Sequence, residues 1–508
     1  MSASDATEAL GGASQPEQQL QSNAVGLPRV IAYTGAFMGP AASIALGLVA
    51  AFGFAGFATP FVVLIAMLGA LFASNSVAQL ARRIPSAGSL YTYNATALGK
   101  PAGFVSGWVM TFAYILWVPS GIGATGQFFS QFFQSAFSVS INENILLVIV
   151  LGIVVLLAYR GIAASAAVDL IVLAVEMLVI VGLAVTILAK GGPGLHGLEP
   201  FNPANTLNGK FSDITLAMVY TVVIFTGFES GAVLGEESRE PRRTIPRGIF
   251  GAVVIVGLFY LFVSYSEAQG VAPKSIEAFA SNPNELNYLS NIFWSSSWAW
   301  LIDLVVALST MAFVLAAFNA AVRLVFAMGR EQMLPRRLAT LSRFKTPHYA
   351  VAVVGLLGLV IGLPVSIAEG GFLTFAYIGA LSGLSLIILF ISVSIAVIVS
   401  FRRQYKADFN PILHVVLPLL GIGTFGIPLV GTFYPVPESP FNILPYIAVG
   451  WLLLGVAVAI WLTRNRADVL NRIGRVFLVE GAEQPYPSAV PPDTRFDEPT
   501  SGTSPSTV

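Results

Sequence analysis

Apolar runs long enough to cross a bilayer, which takes about 20 residues in an α-helix, alternate with short polar segments along most of the chain. There are twelve such runs, near residues 30–52, 57–80, 102–133, 144–159, 165–189, 212–236, 248–272, 298–328, 349–368, 372–401, 411–434 and 441–463. These uninterrupted runs lack the alternating pattern of a transmembrane barrel. The pattern therefore predicts an all-α integral membrane protein with twelve transmembrane helices, numbered 1 to 12 below.

The composition supports this class and narrows the chemistry. Of the 508 residues, 56% are hydrophobic and 10% are charged, whereas soluble domains contain about 25% charged residues. The formal net charge is zero, so nothing points to a nucleic-acid partner. The absence of cysteine excludes disulfides, thiolate metal sites and cysteine nucleophiles. We expect no cofactor, no metal and no cleaved signal peptide, and the lipid bilayer as the surrounding partner.

Basic residues are distributed unevenly between the two ends of the predicted helices. With the N-terminus on one side, that side receives most of the Lys and Arg residues of the loops, and the opposite side receives only Lys190, Lys210 and Lys274. Basic loops remain in the cytoplasm. This predicts cytoplasmic N- and C-termini. The polar tails, 1–28 and 464–508, are expected to be mostly disordered, and residues 329–347 are expected to form an amphipathic helix on the inner surface.

Two of the predicted helices are interrupted at matching places. The pattern T-G-x-x-x-G occurs at 34–39 in helix 1, with Pro40 directly after it, and at 226–231 in helix 6. Gly35, Gly39 and Pro40 weaken the helix, because glycine favours non-helical backbone and proline lacks an amide hydrogen. Paired broken helices in two halves are typical of a transporter's binding site. The alternative is close packing of glycine-rich helices.

Carboxylates in the apolar runs are candidates for coupling. An ionised Glu229 is costly in mid-membrane, so it is either protonated or paired, and we interpret it as a proton acceptor or as a structural hydrogen-bonding group. Glu176, near the middle of helix 5, is the second coupling candidate. Asp169 shares its helix face but is expected to be solvated at the inner end. Glu267 and Asp303 are interpreted as interfacial.

Polar and aromatic residues elsewhere extend the candidate set. Arg323, near the inner end of helix 8, is predicted to pair with Glu236 or Glu237 in an inner gate; a snorkelling arginine is the alternative. Tyr114 of helix 3 is a candidate pocket residue. Several tryptophans are typical of membrane interfaces, namely Trp108, Trp117, Trp298 and Trp300.

The residues around helix 6 resemble those of a known family. The sequence FTGFES at 225–230, with the loop at 235–247, resembles the helix 6 signature of amino acid permeases of the amino acid-polyamine-organocation superfamily. The segments 319–335 and 83–91 are similar to the end of helix 8 and the loop between helices 2 and 3 in that family. The resemblance covers roughly 30–465.

This resemblance implies the fold of the bacterial leucine transporter, with two inverted five-helix repeats, 29–189 and 212–401, and two peripheral helices within 411–463. It implies alternating access and a substrate site between helices 1 and 6. The substrate carboxylate would bind near Gly39, Pro40 and Ala41. The amine would bind carbonyls near Phe225, Thr226 and Gly227, and Val223 would occupy the position of a bulky gating aromatic.

Departures from the family limit what is implied about coupling. Pro40 removes one amide from the carboxylate site. A helix 5 lysine of proton-coupled members aligns near Ala167, and the helix 8 hydroxyls that bind sodium in others align near Ala316 and Ala317. We predict a secondary transporter of the bacterial inner (cytoplasmic) membrane, not an enzyme, that takes up an amino acid or related amine with protons.

Several alternatives remain open at this point. Within the transporter class they are a substrate-substrate antiporter and a sodium-coupled symporter. An intramembrane enzyme would need a convergent constellation of side chains, whereas the three histidines lie far apart in sequence. A nutrient sensor usually needs a folded signalling tail. The substrate and the oligomeric state are left open.

Overall fold

The chain is almost entirely helical in the computed structural model, which describes residues 20–282, 284–434, 436, 438–470 and 473. Twelve transmembrane helices follow in order, with α1 and α6 interrupted: α1, Leu27–Met38 and 40–55; α2, Thr59–Ala81; α3, Lys100–Phe137; α4, Glu143–Arg160; α5, Ile162–Lys190; α6, Phe211–Val223 and the 3₁₀ helix Phe228–Leu234; α7, Pro241–Gly270; α8, Ala299–Arg330; α9, His348–Glu369; α10, Gly371–Arg403; α11, 412–431; and α12, Leu444–Asn465.

The first two helices form one long apolar stretch. Of the 11 apolar helical stretches found among the described residues, Leu27–Ala81 has 55 residues, enough for two crossings. Gly56 ends α1 with a φ of 52°, a value that glycine adopts without strain, and a short 3₁₀ turn then leads into α2. The predicted all-α fold is confirmed for the described residues, and the helix order is consistent with the expected repeat.

The helices differ in how deeply they are buried. In the most apolar part of each helix, 78% of residues are buried in α8 but only 28% in α11 and 22% in α12. A helix surrounded by other helices is apolar and packed on all sides, whereas a peripheral one faces lipid. The last two helices therefore lie at the edge, as predicted, and α8 lies at the centre.

A segment of short helices covers one end of the bundle. This segment, 273–298, contains the helices Ile276–Ala280 and Glu285–Phe293 and packs over the ends of α1, α5 and α8. Phe279 meets Phe52 of α1 edge-to-face, with 5.2 Å between ring centroids. We call it the 273–298 segment, and we call the opposite end, where α1 begins and α6 ends, the basic side.

The prediction of a surface helix at 329–347 is wrong. α8 continues to Arg330, and the only helical element after it within this range is a 3₁₀ turn, Arg336–Ala339. Pro335 precedes that turn, and Leu341 pairs with Pro347 in an isolated bridge. Proline removes the amide that a continuing helix needs. Leu341 packs against the cluster of Leu20, Phe326 and Ala339 rather than against lipid.

The end of the N-terminal tail is tied to the protein. Residues 1–19 and most of the tail after 470 lie outside the described residues, so disorder there stays a prediction. Val25 donates its amide to the carbonyl of Glu237 at 3.1 Å, and its own carbonyl accepts the amide of Arg239 at 2.9 Å. The chain preceding α1 is therefore held against the segment following α6.

Candidate functional site

The interruption of α1 occurs at Gly39. Its φ is 56°, in the left-handed region that favours glycine. Its amide bonds the carbonyls of Gly35 at 3.1 Å and Ala36 at 3.0 Å, which closes the first half of the helix. Pro40 begins the second half, a position that proline tolerates because the first amide of a helix has no intrahelical partner. The predicted break is present.

The interruption of α6 faces that of α1. Between Val223 and Phe228 the helix unwinds, and Gly227 has a φ of 101°. A Cβ on Gly227 would lie 3.0 Å from both Cγ and O of Phe37, so the two breaks are in backbone contact. The hydroxyl of Tyr260 on α7 lies 2.8 Å from the carbonyl of Met38 and 3.2 Å from that of Ile224. The hydroxyl hydrogen is therefore shared between the two carbonyls, and Tyr260 contacts both breaks.

Glu229 lies directly after the α6 break and is fully buried. Its Oε1 accepts the hydroxyl hydrogen of Tyr114 on α3 at 3.0 Å, and its Oε2 accepts the amide of Gly227 at 3.0 Å. Each oxygen therefore has a protein donor, and neither donor is a basic side chain among the described residues. The carboxyl joins the unwound backbone of α6 to a neighbouring helix.

Glu176 lies at the α1 break. Its side chain is buried, and its Oε2 accepts the amide of Ala41 at 3.3 Å. The next amide, that of Ala42, donates to the hydroxyl of Ser309 on α8 at 3.1 Å. The Oε1 atom of Glu176 has no hydrogen-bond partner among the described residues. The two coupling candidates thus lie at the two breaks, one each.

Aromatic rings and hydroxyls complete the surroundings. Phe37 packs against Tyr114 and Phe313, with ring centroids 5.5 and 5.8 Å apart. The hydroxyls of Thr34 and Ser230 are buried between α1 and α6 and have no protein partner among the described residues. Buried hydroxyls are normally hydrogen-bonded. They are additional candidates for contact with a ligand or water.

Some of the remaining predicted substrate residues lie in the unwound segment of α6, and others pack the broken helices against their neighbours. Thr226 lies in the unwound segment and donates its hydroxyl to the carbonyl of Val223 at 2.6 Å. Phe225 packs edge-to-face on Tyr260 at 5.3 Å. Val223 packs against Gly383 of α10, and Gly35 packs against Leu173 of α5. Gly35 and Val223 therefore support the helices that carry the break.

Two ion pairs, one buried and one half-buried, lie at the basic side. Arg323 binds Glu237 through two bonds, Nε to Oε2 at 2.5 Å and Nη2 to Oε1 at 3.2 Å, with both side chains about 4% exposed. Arg330 binds Glu236 in the same two-bond manner, at 2.6 and 2.9 Å. Of the two predicted partners, Arg323 therefore takes Glu237, and it does not snorkel.

Several residues are placed differently from their sequence interpretation. Asp169 is fully buried rather than solvated, and neither of its oxygens has a partner among the described residues. Trp117 is buried against Phe313, at 5.3 Å between centroids, rather than interfacial. Glu267 and Asp303 are also buried. Contacts with residues distant in sequence surround them, such as Phe313 for Trp117 and Asn287 for Asp303, and the apolar pattern along the chain does not record such contacts.

Sequence reasoning missed Tyr260 and Ser309. Both are polar tips inside apolar runs, and tyrosine is enriched at membrane interfaces rather than at mid-span. The mid-span position of Tyr260 was therefore the available signal for it. For Ser309 there was no signal, because serine is common in packed membrane helices.

The described residues contain no group of three or more His, Asp or Glu side chains able to hold a metal ion.

Comparison with known proteins decides the family. The profile of the family described as Amino acid permease matches residues 32–461. The chain belongs to the amino acid permease family. The branched-chain amino acid permease BcaP of Bacillus subtilis (strain 168) is 28% identical to this permease over 392 residues, 73% of this chain and 79% of that one. BcaP of Lactococcus lactis subsp. cremoris (strain MG1363) is 27% identical over 431 residues, 80% and 87% of the two chains.

A further relative and a solved structure widen the comparison. The low-affinity putrescine importer PlaP of Escherichia coli (strain K12) is 25% identical over 378 residues, 71% of this permease and 78% of that protein. The crystal structure of a manganese transporter from Eremococcus coleocola has a TM-score of 0.55 at 12% identity, covering 87% of this chain and 95% of that one. At this identity the likeness concerns the fold alone.

Proposed function

We propose that this permease is a secondary active transporter that takes up an amino acid or related amine across the cytoplasmic membrane by alternating access, coupled to protons. The observation that carries the proposal is the meeting of two broken helices, at Gly39 and Gly227, with a buried carboxyl at each break. Unwound backbone is tolerated at membrane depth only inside protein or along a cavity, where it binds substrate. The names of the relatives, branched-chain amino acid permeases and a putrescine importer, support the substrate range.

The two carboxyls suit proton coupling because each joins helices that change contact when access alternates. Glu229 connects α6 to α3, and Glu176 connects α5 to α1. An ionised carboxylate accepts such bonds more strongly than a neutral one. Protonation therefore weakens the contact between the helices and favours their rearrangement.

The contacts at α8 disfavour the sodium-coupled alternative. The carbonyl of Ala316, in the region where sodium-coupled relatives place hydroxyls, already accepts the hydroxyl of Tyr33 at 3.0 Å. Sodium is coordinated by oxygen atoms. A carbonyl that bonds a tyrosine is less available for that purpose.

Uptake into liposomes containing the purified protein tests the proposal. Amino acids and amines are offered with an imposed pH gradient, a sodium gradient or substrate preloaded inside. We expect uptake driven by the pH gradient, and we expect Glu229→Gln to flatten the pH dependence while Asp303→Asn, a buried acid that bonds Asn284 and Asn287 of the 273–298 segment, retains it. Uptake that requires internal substrate and ignores the pH gradient would establish exchange instead.

A further inference from the structure

We propose that Glu176 is a specificity residue that occupies the amides of the α1 break and makes the site select a cationic amine without a carboxylate over the corresponding amino acid. This inference rests on the proposed function, in which the paired breaks form the substrate site. It narrows that function to one substrate class.

The amides at the start of the second half of α1 already have partners within the protein. A helix N-terminus attracts a carboxylate because its first amides have no partner within the helix. Pro40 has no amide hydrogen. Ala41 donates to Glu176 at 3.3 Å, Ala42 donates to Ser309 at 3.1 Å, and Ser43 donates to the carbonyl of Gly39 at 2.6 Å. Each of the four positions is therefore accounted for without a ligand.

A ligand carboxylate could reach the Ala41 amide only by displacing Glu176. That side chain is buried, and no Lys, Arg or His side chain bonds it among the described residues. A buried carboxylate that loses its hydrogen bond is strongly destabilised. An amine lacking a carboxylate leaves this bond intact, so only the amino acid meets the penalty.

The site carries acidic side chains without basic partners. Glu176 and Glu229 lie at the two breaks, and no Lys, Arg or His side chain bonds either of them among the described residues. The hydroxyl of Ser309 lies beside the Glu176 carboxyl, and Oε1 of that carboxyl is buried and accepts no backbone amide or basic side chain among the described residues, so it can accept an ammonium group. The surroundings therefore favour a positively charged ligand and disfavour a second negative charge.

Calorimetric titration of the purified full-length protein with matched pairs tests the inference. The pairs are 3-methylbutylamine with leucine, putrescine with ornithine, and cadaverine with lysine, and in each the two members differ only by the carboxylate. For the wild type we expect at least one amine to bind roughly tenfold or more tighter than its amino acid, which corresponds to one lost hydrogen bond of a charged group. Equal or tighter binding of the amino acid in every pair, or no binding of any amine, would overturn the proposal.

Three variants separate the role of Glu176 from a merely structural one. Glu176→Ala frees the Ala41 amide, so the preference should fall roughly tenfold, mainly because the amino acid gains affinity. Glu176→Gln keeps an acceptor for that amide but loses the charge, so the amine should weaken while the amino acid gains nothing; this variant also decides the matter if Glu176→Ala does not fold. Asp303→Asn, which alters a buried acid bonded to Asn284 and Asn287 of the 273–298 segment, should leave the preference unchanged. An unaltered preference in Glu176→Ala, or wild-type amine affinity in Glu176→Gln, contradicts the assignment.

Uptake measured with the same ligands distinguishes this inference from the proposed function. If an amine binds selectively but no gradient or preloading drives its uptake, the transport function fails and the assignment of Glu176 stands. If amino acids are taken up in preference to their amines, transport stands and the assignment fails.

Discussion

The hydroxyl of Tyr114 and the amide of Gly227 hold Glu229 in one position. Oε1 accepts the Tyr114 hydroxyl and Oε2 accepts the Gly227 amide, each at 3.0 Å. The carboxyl is fully buried, so these two donors fix its position. The position of Glu229 relative to the α6 break therefore depends on a side chain of α3.

Removing the Tyr114 hydroxyl should impair transport. We expect Tyr114→Phe to lower the initial rate of uptake into liposomes roughly tenfold, because a hydrogen bond to a charged group is worth about 1.5–3 kcal/mol. Tyr93→Phe is the matched control, because the Tyr93 hydroxyl is also buried but has no partner among the described residues. If both variants transport at the wild-type rate, the Tyr114 contact has no functional importance.

At the scale of the helix, the α6 break depends on a backbone conformation that only glycine adopts easily. A side chain at Gly227 would combine a φ of 101° with contacts of 3.0 Å to Phe37. Left-handed backbone costs an L-residue about 1–2 kcal/mol. The steric contact adds to that cost, and it displaces the α1 break at the same time.

We therefore expect Gly227→Ala to reduce uptake by at least about tenfold, since strain of this size is sufficient for that effect. Gly152→Ala on α4 is the control: a Cβ there meets nothing within 4 Å, and uptake should remain. Liposome uptake at equal protein content measures both. Wild-type uptake by Gly227→Ala would show that the break tolerates a side chain.

The 273–298 segment should open as the pH rises. Burial raises the pKa of the Glu285 carboxyl from 4.5 to about 8, and Glu267 on α7 lies close enough to repel it when both are ionised. At a pH between 4.5 and about 8, Glu285 is protonated in the closed segment and ionised in the opened segment. The stability of the closed segment is thus present at low pH and is lost as the pH rises toward 8.

Hydrogen exchange of residues 276–293, corrected for the intrinsic pH dependence, measures this opening. We expect faster exchange at pH 8 than at pH 5, and we expect Glu285→Gln to remove the difference because the amide does not ionise. Glu277→Gln, an exposed acid in the same segment, should retain it. Exchange that is independent of pH in the wild type would contradict the expectation.

Across the whole molecule, the basic side is closed by long-range contacts between α8 and the end of α6. Glu236 also accepts the amide of Ala87 at 3.2 Å, so the segment between α2 and α3 joins the same closure. We infer that the pairs of Arg323 and Arg330 form an inner gate that must separate for release. A buried pair that loses one partner leaves an uncompensated charge, which disfavours the closed form.

Accessibility of a single cysteine measures the state of this gate, and the natural chain contains no cysteine that would interfere. In a Ser230→Cys background we expect Arg323→Met to raise the rate of labelling by a membrane-impermeant thiol reagent at least about tenfold. Arg243→Met removes a pair whose side chains are 74% exposed and should change nothing. Equal labelling in both variants would argue against a gate.

The sequence predicted the fold better than the environment of individual residues. Twelve apolar runs became twelve helices, because the transfer of apolar side chains into lipid is decided locally along the chain. Gly39 and Gly227 were found for a similar reason, since glycine and proline alter their own backbone. Asp169 and Trp117 were misinterpreted because their surroundings come from other helices, whereas the 329–347 segment was misinterpreted because Pro335, which is visible in the sequence, was not taken to interrupt the helix.

What the sequence by itself determined is the membrane class, the twelve helices, the two broken helices and the presence of carboxylates beside them. Only the tertiary structure decided which group each carboxylate bonds: Tyr114 is 115 residues from Glu229, and Ala41 is 135 residues from Glu176. Likewise Arg323 meets Glu237 across 86 residues. The reason is physical. Burial in lipid follows local composition, whereas a hydrogen-bond partner is chosen by how the helices pack.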